Sequence, residues 1–286
     1  MSALANRPFV KMNGLGNEIL VVDLRDGSPA VTPAEARAIA AAGGGLAFDQ
    51  IMALHPGRDG ADGFMRIYNA DGSEVSACGN GTRCVARLLM DEGGRRDLLL
   101  ETAAGPLPCI ADAAGTIAVD MGRPRFEWQD IPLAHAVPDT AAVAFPDFPT
   151  LPPASMANVG NPHAIFWVAD IAPYDLATLG PALEHHPLFP ERANISLAVV
   201  TAPDAITLKV WERGAGLTLA CGTAACAAAI LGARTGRTGR KVTVTLPGGA
   251  LAIEWRAADD HILMAGPVEL EFRGRFDPAI FAGTAA

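Results

Sequence analysis

Two cysteines, Cys78 and Cys221, occupy the same context in the two halves of the chain. Each stands in an Ala-Cys-Gly tripeptide directly before an apolar stretch of helical composition. At a helix start, unpaired N–H groups and the positive end of the helix dipole favour a thiolate, which brings the cysteine pKa of about 8.5 towards neutrality. A thiolate and a thiol on opposite faces of a carbon that carries a carboxylate can invert that carbon, because one removes a proton while the other delivers one.

The residues after each cysteine could bind the carboxylate of such a substrate. Gly79-Asn80 and Gly222-Thr223 place backbone N–H groups at the two helix starts, and glycine lets a ligand approach closely. Donors already aimed at the carboxylate would stabilise the charge that forms when the proton leaves. The three lysines stand at no evident pyridoxal site, and the six histidines do not group with Cys or Asp/Glu at metal-ligand spacing. The sequence therefore predicts no cofactor and no metal.

Interpretations without catalysis are open for the same cysteines. Free cysteine is among the most buried residue types, and a lone Ala-Cys-Gly before a helix is typical of packing. Two opposed thiols could also form a reversible disulfide in a redox-sensing protein that catalyses nothing. The second copy in register favours catalysis. Cys84 and Cys226 are not in register with each other and Cys109 lies in a strand, so these three are predicted to be structural.

The sequence contains an internal duplication that covers the whole chain, with a spacing of 143 to 144 residues between equivalent positions. Cys78 and Cys221 are 143 residues apart, and several other landmarks keep the shift. These landmarks pair Asn17 with Asn161, Gln50 with Asn194, Gly105 with Gly249 and Gly122 with Gly266. Duplicated halves usually pack about an approximate two-fold axis, so we expect the two cysteines to face each other.

The predicted domains follow from this duplication. Residues 1–128 form an N-terminal repeat that carries Cys78, and residues 154–286 form a C-terminal repeat that carries Cys221. Residues 129–153 between them hold several prolines and show neither a helical nor a strand period, which is typical of a linker.

The elements that would position the cysteines indicate an α+β fold. Thr32-Pro33-Ala34-Glu35 is a capping box that opens a helix to about Ala42, with a counterpart near 174–184. Helices at about 79–90 and 222–234 follow the cysteines, and their low charge predicts that each is enclosed by its own sheet. We therefore expect two pseudo-symmetric duplicated domains, each a strand-rich sheet or barrel around a central helix. Half-buried strands are predicted at 64–68, 98–102, 116–120, 207–211, 242–246, 250–255 and 261–264.

Composition excludes several classes of protein. With 286 residues, 50% of them hydrophobic, the chain can bury a substantial core. A net charge of -9 leaves no basic stripe, which argues against nucleic-acid binding. Residues 214–233 carry no charge, but their Ala, Gly, Thr and Cys content predicts a turn and a packed core helix instead of a membrane span. Small molecules or protein partners remain as ligands. Five cysteines without a C-x-x-C pair, and no export signal, predict a cytoplasmic protein.

Several long motifs in order carry a family resemblance over essentially the whole chain. They are Lys11-Met12-Asn13-Gly14-Leu15-Gly16-Asn17, Asn69-Ala70-Asp71-Gly72-Ser73-Glu74 with Cys78-Gly79-Asn80-Gly81, Gly160-Asn161-Pro162-His163, Pro187-Leu188-Phe189-Pro190-Glu191-Arg192, and Trp211-Glu212-Arg213-Gly214-Ala215-Gly216 with Ala220-Cys221-Gly222-Thr223. The chain resembles the diaminopimelate epimerases, amino-acid epimerases that use no pyridoxal phosphate. The resemblance implies epimerisation of LL-2,6-diaminopimelate to the meso form, in lysine and peptidoglycan precursor biosynthesis.

The resemblance also implies roles for individual residues. Cys78 and Cys221 would be the catalytic acid and base, and His163 and Glu212 would tune the two thiols. Arg213 would bind the carboxylate that does not react, because a guanidinium matches a carboxylate in geometry and charge. The expected substrate contacts are Asn17, Gln50, Asn69, Gly79, Asn80, Asn161, Asn194, Glu212, Arg213, Gly222 and Thr223.

A few positions depart from the family pattern. Leu217 stands where glutamate is frequent and removes a possible carboxylate near Cys221. Asn13 stands where histidine is common, while Ala224, where glycine is frequent, and the turn 46–48 affect only local geometry. The family pairs as a homodimer, and Phe272 occupies a position where a tyrosine supports that contact. The nearest enzymatic alternative is a proline or hydroxyproline racemase or epimerase, which would suit a compact ring. Arg213 argues against it, since it would hold a charged far end.

Overall fold

The structure is a computed structural model that describes residues 2–283. It divides into two compact units: unit 1 comprises Met1–Val119 and Gly266–Ala286, and unit 2 comprises Asp120–Ala265. The first half of the chain forms β1 (Pro8–Gly14), β2 (Asn17–Asp23), α1 (Pro33–Ala41), β3 (Gln50–His55), β4 (Gly63–Asn69), β5 (Glu74–Val75), α2 (Gly79–Gly93), β6 (Asp97–Thr102), β7 (Gly105–Ala111) and β8 (Ile117–Asp120). The second half forms β9 (Ala154–Asn158), β10 (Pro162–Trp167), α3 (Leu176–Glu184), β11 (Asn194–Ala202), β12 (Ala205–Glu212), β13 (Gly216–Leu217), α4 (Gly222–Arg234), β14 (Lys241–Leu246), β15 (Gly249–Trp255), β16 (Ile262–Gly266) and β17 (Glu269–Arg275).

Strand pairing repeats between the two units. In unit 1, β1 and β2 are antiparallel, β3 runs parallel to β2 and antiparallel to β4, and β4 runs parallel to β6, which continues through β7 to β8. In unit 2, β9 and β10 are antiparallel, β11 runs parallel to β10 and antiparallel to β12, and β12 runs parallel to β14, which continues through β15 to β16. The same order of pairings confirms the duplicated α+β fold.

The capping signals locate two of the helices. The side chain of Thr32 accepts from the Glu35 N–H, and the Glu35 carboxylate accepts from the Thr32 N–H, so α1 begins with the predicted capping box. Its counterpart α3 begins after Asp175, whose carboxylate accepts from the Ala177 N–H over 3.0 Å. Pro247 and Gly248 form the hairpin turn that joins β14 to β15.

The other two helices lie against the strands of their own units, as their low charge predicted. α2 contacts β1, β2, β3, β6 and β7, and α4 contacts β9, β10, β11, β12, β14 and β15. α2 approaches β3 closely at Gly81, where an added Cβ would lie 2.4 Å from Sδ of Met52. α4 is lined by buried alanines, so strands can pack against most of its circumference. Each helix therefore starts at a point that the surrounding sheet fixes.

The predicted linker differs from the observed structure. Residues 129–153 belong to unit 2, and Ile131, Leu133, Val143, Phe145 and Leu151 are buried in one cluster with side chains of α3 and β10. The prolines break regular structure but leave these apolar side chains free to fill a core. The segment is therefore an irregular part of unit 2.

The domain boundaries differ as well. Unit 1 ends at Val119 instead of residue 128, and it includes the C-terminal residues from Gly266 onwards. The reason is strand pairing, because β17 lies antiparallel to β1 over Pro8–Asn13.

In the part of the chain that the structure describes, no helix combines the length and apolar character that crossing a membrane requires.

Candidate active site

Cys78 immediately precedes α2 and caps it. Its backbone is extended, with φ −148° and ψ 104°, and its Sγ accepts a hydrogen bond from the Gly81 N–H over 3.3 Å. The side chain is half-buried. The sulfur therefore lies at the positive end of the α2 dipole, where the sequence predicted it.

Two amide oxygens of unit 1 face this sulfur. Oδ1 of Asn17 and Oε1 of Gln50 each lie 3.7 Å from Sγ of Cys78, within reach of the S–H group. Asn17 is turned this way because its Nδ2 donates to Oδ2 of Asp49 over 2.8 Å. Gln50 is turned this way because its Nε2 donates to Oδ1 of Asn69 over 3.2 Å. Unit 1 thus brings three of its predicted contact residues together around or beside Cys78.

The amide of Asn69 has its own fixed orientation. Its Nδ2 donates to Oγ of Ser73 over 3.0 Å, and that hydroxyl donates to Oδ1 of Asp71 over 2.6 Å. Both chains of amides that lead to Cys78 therefore end at a carboxylate, Asp49 in one case and Asp71 in the other. A carboxylate only accepts hydrogen bonds, so the order of donors and acceptors in each of these two series is fixed.

The start of α2 also holds Asn80 in place. Asn80 is buried, and its Oδ1 accepts from Nη2 of the fully buried Arg83 over 2.8 Å. An added Cβ on Gly14 would lie 3.2 Å from Cβ of Asn80, so β1 passes close to this turn. The Asn80 side chain is thus engaged by Arg83, and Gly79 and Asn80 occupy the first two positions of α2, where a helix leaves backbone N–H groups without intrahelical partners.

Cys221 occupies the equivalent position before α4 in unit 2. Its φ of −134° and ψ of 109° match those of an N-cap residue, and its Sγ lies 3.4 Å from Oγ1 of Thr223. The residue is 5% exposed. Burial, followed by the negative charge of Glu212, raises the pKa of the Cys221 thiol well above its ordinary value. The helix start alone predicted a lowered pKa, and at Cys221 that expectation is wrong because desolvation outweighs the helix-end dipole.

Glu212 stands at the end of β12, and one oxygen of its carboxylate accepts from the Thr218 hydroxyl. Thr218 immediately follows Leu217, the position where glutamate is frequent in the family. Leu217 itself is 43% exposed. The carboxylate that acts on Cys221 in this chain is therefore Glu212.

His163 lies in β10 and is fully buried. Burial, followed by the positive charge of Arg213, lowers its pKa to about 3, so the imidazole is neutral at neutral pH. Nε2 lies 2.8 Å from Oδ1 of Asn161, and a proton on Nε2 leaves Nδ1 as an acceptor. Among the described residues Nδ1 has no hydrogen-bond partner. Any influence of His163 on a thiol is therefore that of a neutral ring.

Asn194 fixes the backbone beside Arg213. Its Nδ2 donates to the Pro162 carbonyl over 2.9 Å, and its Oδ1 accepts from the Arg213 N–H over 3.0 Å. Nη1 of Arg213 donates to the Glu191 carbonyl over 3.1 Å, which directs an otherwise exposed side chain. Since His163 pairs with Asn194 across β10 and β11, unit 2 brings its predicted polar residues together at one end of these strands.

The groups that orient these residues carry no signal in the sequence that would have identified them. Asp49, Asp71 and Ser73 orient amides in unit 1, and Arg83 holds Asn80. Asp71 and Ser73 lie within the motif at residues 69–74, and Asp49 directly precedes Gln50, but a carboxylate or hydroxyl in a turn has no distinctive spacing. Cys84, Cys109 and Cys226 are completely buried, as expected of structural cysteines. Within residues 2–283, no cluster of three or more His, Cys, Asp or Glu residues is suited to hold a metal ion.

Known relatives match this chain over its full length. A family model described as diaminopimelate epimerase matches residues 9–127 and again residues 155–271. A diaminopimelate epimerase of Methylocella silvestris is 58% identical over 100% of both chains, and one of Rhodopseudomonas palustris is 57% identical over 99% of this chain and 98% of the relative. The chain belongs to the diaminopimelate epimerase family. This confirms the resemblance, and the double match agrees with the duplication.

Solved structures share the diaminopimelate epimerase fold at low identity. A phenazine biosynthesis protein of the PhzF family from Bacillus anthracis has a TM-score of 0.66 at 17% identity, covering 94% of this chain and 98% of its own. A probable proline racemase from Agrobacterium radiobacter has a TM-score of 0.66 at 14% identity, covering 97% and 95%. A hydroxyproline epimerase from Agrobacterium vitis has a TM-score of 0.65 at 15% identity, covering 96% and 94%. At such identities these likenesses concern the fold alone.

Proposed function

We propose that this chain epimerises LL-2,6-diaminopimelate to meso-diaminopimelate without a cofactor, in lysine and peptidoglycan precursor biosynthesis. The observation that carries the proposal is the 58% identity, over the full length of both chains, to a relative named diaminopimelate epimerase. The two N-cap cysteines support it, because each unit supplies one sulfur at the start of an enclosed helix.

The proposed chemistry divides two roles between Cys78 and Cys221. One sulfur, as a thiolate, takes the proton from Cα, and the other, as a thiol, donates a proton to the opposite face of the same carbon. Burial and Glu212 favour the thiol form of Cys221, which suits the acid. Cys78 is half-buried, and the Gly81 N–H that its sulfur accepts stabilises the thiolate that a base requires, whereas the amide oxygens of Asn17 and Gln50 stabilise its thiol form between turnovers. The reverse reaction exchanges the two roles.

The helix starts would bind the carboxylate on the reacting carbon. When Cα loses its proton, negative charge moves onto the carboxylate oxygens, and fixed N–H donors stabilise that charge without reorganisation. Gly79, Asn80, Gly222 and Thr223 supply these donors. Glycine at two of the four positions lets the carboxylate approach the backbone.

The remaining polar groups would bind the far end of the substrate. Arg213 offers a guanidinium for the second carboxylate, and Asn17, Gln50, Asn69, Asn161 and Asn194 offer amides that donate and accept. The direction of each amide matters because an amide turned the wrong way presents the wrong charge. The carboxylates of Asp49 and Asp71 fix those directions in unit 1.

Hydrogen exchange at Cα tests the reaction directly. The protein is incubated in deuterated water with LL-diaminopimelate and, separately, with L-proline, and loss of the Cα proton is followed by NMR. We expect exchange and inversion with diaminopimelate and none with proline. Exchange with proline alone would contradict the proposal and favour the ring-substrate alternative.

Single cysteine variants test the two-base mechanism. Cys78→Ala and Cys221→Ala should each lose at least about 100-fold in epimerisation rate, because each removes one proton-transfer group. Cys109→Ala is the matched control, since Cys109 is a completely buried cysteine in a strand of unit 1. Epimerisation at the parent rate by either catalytic variant rules the mechanism out.

We also infer a homodimer in the cytoplasm. Leu270 and Phe272 on β17 are 44% and 39% exposed, which is unusual for large apolar side chains and suits a contact between copies. Equilibrium sedimentation tests this: the parent should sediment at twice the mass of one 29.6 kDa chain. A Phe272→Glu variant should shift towards the monomer, and a parent that sediments as a monomer would refute the dimer.

A further inference from the structure

Glu184 is a buried carboxylate of unit 2 that takes no part in the proposed proton transfers or substrate contacts. It is the last residue of α3 and is 3% exposed. A carboxylate shielded from water is costly unless hydrogen bonds compensate it. The groups that compensate Glu184 therefore indicate its role.

Two of those groups lie on either side of Glu212 and Arg213. Oε2 of Glu184 accepts from Nε1 of Trp211 over 2.7 Å, and Oε1 accepts from the Gly214 N–H over 2.9 Å. Trp211 lies in β12, and Gly214 begins the turn towards β13 with a φ of +77°. One carboxylate thus holds the residue before and the residue after the Glu212-Arg213 pair.

The Trp211 side chain also packs closely against helix α3. Gly180 lies one turn before Glu184, and a Cβ added to it would lie 2.4 Å from Cγ of Trp211. Any larger residue would displace the indole and move Nε1 away from the carboxylate. The glycine and the glutamate four residues later therefore act on the same side chain by two independent contacts, one of shape and one of hydrogen bonding.

The other contacts of Glu184 are weaker. Nη1 of Arg192 lies 3.7 Å from Oε1, but the Arg192 side chain is 53% exposed, so water screens this ion pair. Arg213 receives its remaining support from the Asn194 side chain and the Glu191 carbonyl. Glu184 is the acidic side chain that ties the Arg213 turn to α3.

We propose that Glu184 is a positioning residue that sets the direction of Arg213 and so the affinity for the far carboxylate of the substrate. This inference rests on the proposed function, in which Arg213 binds that carboxylate. Glu184 touches no substrate itself. It acts by keeping the Trp211–Gly214 turn in one conformation, so that the guanidinium does not have to be ordered when the substrate binds.

The substitution Glu184→Gln separates charge and acceptor capacity from size. The two donors use different oxygens of Glu184, and an amide has one carbonyl oxygen, so its NH₂ group must face either the Trp211 N–H or the Gly214 N–H. We expect KM for LL-diaminopimelate to rise about tenfold, with a much smaller change in kcat, because an unmade buried hydrogen bond is costly. Glu254→Gln, in a surface ion pair with Lys241, is the matched control and should leave KM unchanged.

A double-variant cycle distinguishes positioning of Arg213 from general destabilisation. If Glu184 acts through Arg213, adding Glu184→Gln to Arg213→Ala should change KM less than twofold, since the group it positions is already gone. Multiplication of the two effects on KM would overturn the proposal. An unchanged KM in the Glu184→Gln single variant would overturn it as well.

Amide hydrogen exchange without substrate keeps this inference separate from the proposed function. Peptides that cover residues 211–217 should exchange at least about fivefold faster in Glu184→Gln than in the parent, while peptides from α4 stay protected. If the parent fails to epimerise diaminopimelate, the proposed function fails, and faster exchange would still support the ordering of Arg213 by Glu184. Unchanged exchange in residues 211–217 would refute that ordering whatever the substrate.

Discussion

Acid should destabilise this protein through His163 in a predictable way. Burial, followed by the charge of Arg213, lowers the pKa of His163 from 6.5 to about 3. Between these values the unfolded chain binds a proton that the folded chain excludes, so the free energy of unfolding falls as the pH falls. The limiting slope is about 1.4 kcal/mol per pH unit. From pH 8 to pH 5, His163 should therefore remove about 2 kcal/mol of stability.

A comparison of variants isolates this contribution from that of the other acidic and basic groups. His163→Gln removes the titrating ring but keeps an amide that can donate to Asn161. Urea unfolding of the parent and the variant at pH 8 and pH 5 should show that the parent loses about 2 kcal/mol more than the variant. His135→Gln, at a solvent-exposed histidine, is the control. Its free energy of unfolding should differ from that of the parent by less than about 0.5 kcal/mol at either pH.

The refuting result concerns the pH dependence itself. If the difference in unfolding free energy between the parent and His163→Gln is the same at pH 8 and pH 5, His163 accepts its proton as readily in the folded protein as in the unfolded chain. The ring would then be able to carry a positive charge beside its neighbours, and the conclusion that it acts as a neutral group would be wrong.

Three further outcomes follow from the described contacts. Asp49→Ala should lower epimerisation about tenfold by freeing the Asn17 amide to turn, whereas Asp49→Asn should retain activity, because both Asp49 hydrogen bonds use one oxygen that the amide can replace. Iodoacetamide followed by mass spectrometry should modify Cys78 at least about tenfold faster than Cys221, whose thiol is buried and has a raised pKa, and equal rates would contradict this. Phe145→Ala should lower the free energy of unfolding, measured in urea, by about 3 to 5 kcal/mol. A decrease below about 1 kcal/mol would indicate that residues 129–153 are a linker and not part of the core.

The sequence predicts those parts of the fold that local signals specify. The capping box at Thr32 locates α1, the cysteines mark the starts of α2 and α4, and the 143-residue spacing predicts that the strand pattern occurs twice. These signals work because capping and burial depend on residues close in sequence.

The features that the sequence did not predict depend on packing between segments that are distant in sequence. The Pro-rich segment has no period, so nothing local showed that Phe145 would enter the core of unit 2. The raised pKa of Cys221 depends on burial in the folded protein and on the charge of Glu212, which outweigh the local effect of the helix start. Glu184 lies at a helix end, where glutamate is ordinary, and its role emerges only when β12 brings Trp211 onto α3.

The pairing of β17 with β1 has a consequence for synthesis on the ribosome. Unit 2 is continuous from Asp120 to Ala265, so all its strands have been translated before β17 is made. Unit 1 begins first but lacks one edge of its sheet until β17 leaves the exit tunnel. The N-terminal half of the nascent chain therefore completes its sheet last, and until then β1 presents unpaired backbone groups that a chaperone or a neighbouring chain can bind.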